Sequence, residues 1–278
     1  MIKSILLSVD NSLYTESVVR NGMHLAGIFQ ARLHVLSVVD ARTYDWQLSA
    51  GANAFVPVIP STIYLEETRR LEQEKSRAVL EKCRSMLEEA GVEYTINSIA
   101  GSPIDVIVEK ARTCDLVIMG TQGEMSAWQS RTIGETLEAV SRQVRRPILV
   151  VDKTFQPFER LLAAYDGSAG SEKALTLAGF FASKLGCPLM VIVVSSRKKE
   201  AERILREAEN YLAGYHIPVE TDIISGSPDT AICSYAEKKG ADLIVIGAYG
   251  RSRLAEALSG SNTEAIVRKA KMPVLLVK

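Results

Sequence analysis

Residues 242–250 read DLIVIGAYG, and residues 115–123 read DLVIMGTQG. Each is an acid, an aliphatic run and a turn punctuated by glycine. That is the pattern of a strand covered on both faces, ending where the backbone must be approached closely. The pair is one of four that recur in order. SILLSVDNS at 4–12 is matched by LLAAYDGS at 161–168, SIAGSP at 98–103 by IISGSP at 223–228, and RRPILVV at 145–151 by KMPVLLV at 271–277. A chain of 278 residues built this way is expected to hold two domains of one fold, head to tail, as residues 1–153 and 154–278.

Within each half, short β-branched or leucine-rich runs alternate with stretches of helical periodicity. In the second half the runs predict strands at about 160–165, 188–194, 217–224, 242–247 and 273–277. Between them, SEKALTLAGFFASKLG, KKEAERILREAENYLAG, PDTAICSYAEKKG and NTEAIVRKAK place apolar residues three to four apart. Ser168 is placed to cap the first of these helices, Gly186 and Gly214 to close helices, and Pro228 to open one. The alternation predicts an α/β fold: two tandem doubly wound domains, each a five-stranded mostly parallel sheet with helices on both faces. Ligands in such folds bind beyond the carboxyl ends of the strands. The first half departs once, at residues 41–60, ARTYDWQLSAGANAFVPVIP, before a long helix running to about Ala90. This is long for a strand-to-helix connection and reads equally as a lid, a docking surface or a loop packed on its own domain.

Lys plus Arg equal Asp plus Glu at 33 each, so no net field gathers nucleic acid or anionic membrane. No run approaches the ~20 apolar residues of a membrane span, and MIKSILLSVDNS reads as a first strand rather than a signal peptide. Cys83, Cys114, Cys187 and Cys233 form no CxxC pair, and His24, His34 and His216 show no ligand spacing. They are expected to be core or helix-face groups of a cytoplasmic protein, with no metal site.

GAYGRSRLAEALSGS, residues 247–261, runs from a strand end into a helix opening near Gly260. Glycines there clear the backbone, and Ser261 adds a hydroxyl to amides at a helix start, which favours an anion such as phosphate. Asp166 falls at the end of the first strand of the same half, on the same sheet edge. It reads either as a partner for a ribose hydroxyl or a metal ion, or simply as a turn former in YDGS.

The spacing Gly247-x2-Gly250-x9-Gly260-Ser261 resembles the ATP-binding signature of the universal stress protein family, with its strand-end aspartate at Asp166 and its closing strand in KMPVLLVK. The resemblance covers nearly the whole chain as two tandem domains, and implies a Rossmann-like, adenine nucleotide α-hydrolase-like fold. It implies that adenine lies near Ala164, Asp166, Val194 and Ile246, and that ribose and phosphates lie at Gly247, Gly250, Gly260, Ser261 and Asn262. The implied ligand is ATP or AMP, with or without Mg2+. Family members dimerise through the last strand and act in stress survival, many without established catalysis.

In the first half ten residues separate Gly123 from Gly134 where the second half has nine, and Glu135 stands at the hydroxyl position. A carboxylate there would repel phosphate, so the N-terminal domain is expected not to bind ATP in the normal way, unless Thr132 or Thr136 supplies the hydroxyl in another register. The leading expectation is therefore a stress-response regulator that holds nucleotide in its C-terminal domain. The N-terminal domain serves as an intrachain pseudo-dimer partner through RRPILVV and KMPVLLV. A homodimer of whole chains is a further expectation. One alternative is a slow ATPase using Asp166, Arg251 and Arg253, although no clear base accompanies them. Another is an interaction module without nucleotide, anchored by Tyr44, Trp46 and Phe55. No membrane or nucleic-acid partner is expected.

Overall fold

Each aliphatic run becomes a strand. The computed structural model describes residues 1–40, 62–124, 133–248 and 261–278, the side chains of 62–65 and 261–262 apart, so the 41–60 insertion lies outside the described residues. The first half contributes β1 (Ser4–Val9), β2 (Arg32–Asp40), β3 (Tyr94–Gly101), β4 (Leu116–Gly120) and β5 (Ile148–Val151). The second contributes β6 (Leu161–Ala164), β7 (Leu189–Val194), β8 (Val219–Ile224), β9 (Leu243–Gly247) and β10 (Val274–Val277). The helices are α1 (Thr15–Phe29), α2 (Thr62–Ala90), α3 (Pro103–Ala111), α4 (Glu135–Gln143), α5 (Ala169–Leu185), α6 (Lys198–Leu212), α7 (Pro228–Lys239) and α8 (Ser261–Lys269).

Among the described residues ten strands form one sheet, in the order β3-β2-β1-β4-β5-β10-β9-β6-β7-β8. Pairing is parallel within each half, and the halves join through the antiparallel pair β5 and β10, with Leu275 opposite Leu149. The carboxyl ends of the two halves' strands therefore lie on opposite edges of the sheet. One face carries α1, α2, α5 and α6 over a core that includes Leu33, Leu116, Phe181 and Leu243. The other carries α3, α4, α7 and α8 over Leu36, Ile107, Leu162 and Ile246. Both cores contain residues from both halves, so hydrophobic burial does not stop at the seam. Each fully buried side chain of this kind contributes ~1.5–3 kcal/mol.

Helix ends follow local chemistry. The Ser168 hydroxyl accepts the Ser171 amide at 3.3 Å, Pro228 occupies the first turn of α7, and Gly186 closes α5 at φ 68°. Gly214 does not close a helix, contrary to expectation. It lies inside a 3-10 turn, Ala213–Tyr215, and His216 takes the left-handed conformation at φ 53°.

Aromatic rings cover the seam. Phe29 of α1 stacks on Phe180 of α5 at 5.4 Å and meets Phe181 edge-on at 5.0 Å. His24, also on α1, packs edge-on against Phe155 and Phe158 from the segment joining the halves. Its Nε2 is buried without a partner among the described residues, and burial pulls its pKa below the ordinary 6.5. The unfolded chain therefore takes up a proton that the folded chain resists as pH falls through 6.5, and stability declines. His24→Leu is expected to flatten the fall in urea midpoint between about pH 7.5 and 5.5. An unchanged slope in the variant would place the titration elsewhere.

Candidate functional site

The order 3-2-1-4-5, repeated in mirror sequence by β8-β7-β6-β9-β10, puts the switch point of the second half, where the strand order reverses, between the parallel strands β6 and β9. Ala164 ends β6 in register with Ile192 and Ile246, Val194 ends β7 beside Ile224, and Gly247 ends β9 beside Val277. Ala164, Asp166, Val194, Ile246 and Gly247 thus share one sheet edge. Ala164, Val194 and Ile246 belong to the face of the sheet that α7 and α8 cover. These three make an apolar wall, suited to the flat face of a base.

Asp166 is set by a small network. Its amide donates to Ser171 Oγ at 3.3 Å, and its Oδ1 accepts the Ser168 amide at 3.0 Å. The turn-forming role read in YDGS is therefore real, and it engages one carboxylate oxygen. Asp166 Oδ2 is the second acceptor of the same carboxylate, at the end of β6.

Gly250 and Gly260 lie outside the described residues, as do Arg251 and Arg253. Ser261 and Asn262 open α8, whose first turn presents backbone amides at this edge. Glu264 in that turn is paired at 2.9 Å with Arg142 from α4 of the other half, which also meets Glu138 at 2.6 Å. The N-terminal half thus offsets a negative charge near the start of α8. Farther along, Lys269 and the Ser227 hydroxyl bond to Asp229 and hold its carboxyl at about 2, tying α8 to α7.

Gly247 has a packing reason that the sequence reading did not include. A Cβ there would stand 2.5 Å from the Gly170 carbonyl carbon and 2.7 Å from the Ser171 nitrogen. The glycine clears the first turn of α5. Gly120 does the same in the first half, where a Cβ would meet Tyr14 Cβ at 2.5 Å.

The first half repeats the aspartate network. The Asp10 amide donates to Thr15 Oγ1, and Oδ1 accepts the Ser12 amide at 3.1 Å. Here, however, Oδ2 accepts the Glu124 amide at 2.9 Å and would lie 2.9 Å from a Gly123 Cβ. The GTQG turn has closed onto the carboxylate. Tyr14 stands where the second half has Gly170, with Lys153 above its ring at 5.7 Å. Glu135 is the exposed first residue of α4, beside helix-terminal amides that welcome a carboxylate. Thr136 follows it in the helix, whereas Thr132 lies outside the described residues.

Two further acids escaped sequence reading. Asp115 accepts the amides of Lys3 and Ser4 at 2.8 and 3.1 Å, and Asp242 those of Glu159 and Arg160 at 2.7 and 3.0 Å. The acid that opens both repeated runs therefore pins the first strand of its half. The four cysteines are free and buried, with Cys83, Cys187 and Cys233 pushed up to about 11 by burial. No cluster of three metal-ligating side chains occurs among the described residues, nor any helix long and apolar enough to cross a membrane.

The sequence model of the universal stress protein family matches residues 1–152 and 193–278. Universal stress protein Slr1230 of Synechocystis is 28% identical over 284 residues, covering 99% of each chain. Universal stress protein Rv2623 of Mycobacterium tuberculosis is 21% identical over 303 residues, covering 99% of this chain and 96% of its own. Among solved structures, a universal stress protein from Archaeoglobus fulgidus superposes with a TM-score of 0.70 at 24% identity, over 99% of this chain and 96% of its own.

Proposed function

Because the chain belongs to the universal stress protein family, we infer that it is a stress-response regulator that binds ATP or AMP in a C-terminal domain, residues 154–278. Residues 1–153 form a structural partner whose own pocket is closed. The observation that carries this reading is the gathering of Ala164, Asp166, Val194, Ile246 and Gly247 at one sheet edge beside the start of α8. In the first half Asp10 spends both carboxylate oxygens on backbone amides, those of Ser12 and Glu124. The apolar wall of Ala164, Val194 and Ile246 fits adenine, and Asp166 Oδ2 fits a ribose hydroxyl. Gly247 lets α5 approach the sheet, and its backbone would border the ribose and phosphates. Gly250, Gly260, Ser261 and Asn262 would hold the phosphates through backbone amides and a hydroxyl, with Mg2+ offsetting charge when present.

Calorimetric titration with ATP and with AMP is expected to give one site per chain, and Gly260→Val is expected to abolish the heat. Two equivalent sites would remove the asymmetry. No binding in the unmodified protein would remove the nucleotide.

A further inference from the structure

The ten-stranded sheet has two outer strands, and they are built differently. β8 ends one side with VETDII, whose exposed Glu220 and Asp222 put two negative charges on the edge. Leu189 donates its amide to the Pro218 carbonyl, so in this parallel ladder the odd-numbered residues of β8 turn their amides outward. One of these, Ile223, is already taken by Asp222 Oδ1 at 2.8 Å. Charge and a self-made bond together close this edge to another strand.

β3 ends the other side with YTINSIAG, eight residues without a charge or a proline. It is two residues longer than β8 and twice the length of β5 or β10. Leu33 donates to the Glu93 carbonyl, so the odd residues of β3 serve β2 and the amides and carbonyls of Tyr94, Ile96, Ser98 and Ala100 point away from it. Among the described residues these outward amides have no acceptor. Asn97, Ser98 and Ala100 are exposed. Such an edge lacks the charges, prolines and bulges that keep strands from pairing.

We propose that β3 is the self-association surface of this protein, pairing antiparallel with β3 of a second copy about a two-fold axis normal to the sheet. The occupant is a second copy for three reasons. An uncharged edge selects no charged partner, and antiparallel pairing lets one strand satisfy its own outward groups. The molecule also already uses this device, since β5 and β10 join its halves as short, uncharged, antiparallel strands. The register that places Asn97 opposite its counterpart brings Ile96 opposite Ser98 and Thr95 opposite Ile99, with side chains kept on matching faces. A lone eight-residue edge is expected to bury less than the ~1,600 Å2 of a standard stable interface, so the dimer is expected to be weak and concentration-dependent.

Sedimentation velocity of the full chain over a concentration series tests this, with amide exchange read at both ends of the series. The mass is expected to rise to two chains, with the amides of Ile96, Ser98 and Ala100 slowing as it does. Asn97→Lys sets like charges opposite each other, and Ala100→Pro deletes an outward amide without touching the β2 ladder. Both are expected to stay monomeric with unchanged circular dichroism, while Glu220→Lys on β8 dimerises as the unmodified protein does. A monomer at all concentrations would overturn the proposal, as would a dimer that survives Asn97→Lys. Protection of the β3 amides already present in the monomer would show that the chain covers its own edge, and would overturn it equally.

Discussion

Gly247→Ala is expected to lower stability by about 3 kcal/mol, the cost of forcing atoms into a contact that cannot relax. The new methyl would stand 2.5 Å from the Gly170 carbonyl carbon and 2.7 Å from both the Gly170 oxygen and the Ser171 nitrogen. All three are backbone atoms, so no rotamer change relieves the overlap. Either α5 moves off the sheet or the end of β9 bends. At this chain length the melting temperature falls by ~6–10 °C. Gly27→Ala is the matched control, because nothing lies within 4 Å of its added methyl and its site is helical. It is expected to stabilise by ~0.5–1 kcal/mol. Urea denaturation of both variants reads the opposite signs, and a Gly247→Ala midpoint equal to the unmodified protein's would show that the helix yields freely.

Asp166→Ala is expected to weaken ATP about 10–100-fold, the range for losing a hydrogen bond to a charged group. Asp10→Ala is expected to leave affinity unchanged while costing stability, because the amides of Ser12 and Glu124 lose their acceptor. Calorimetry and denaturation on the same two variants separate the roles. Lost affinity in Asp10→Ala would place nucleotide in the half assigned here to support.

The strands were legible in the sequence because both faces of each are covered, and an uninterrupted aliphatic run has few other uses. The five strands expected in the second half match those observed to within two residues at each end. What escaped was whatever depends on distance between segments far apart in the chain. The packing role of Gly247 was hidden because its neighbour Gly170 is 77 positions away and meets it only once α5 has docked. The closing of GTQG onto Asp10 depends on a backbone amide, which leaves no trace in residue identity. His216 took the left-handed position in place of Gly214 because the helix tightened into a 3-10 turn before ending. Of the candidate site, what was legible is the placement of its strand-end residues: Ala164, Asp166, Val194, Ile246 and Gly247 come together at one edge.

The seam between β5 and β10 sits in the middle of a sheet whose two cores run past it without a break. A boundary of that kind is no hinge and no plane of weakness. Opening it would expose the inner faces of both halves at once, so the chain is built to melt as a single cooperative unit. Free energy from the ligand proposed to bind beside Asp166 would then be shared by the whole molecule, and is expected to raise the thermal resistance of the N-terminal half as well.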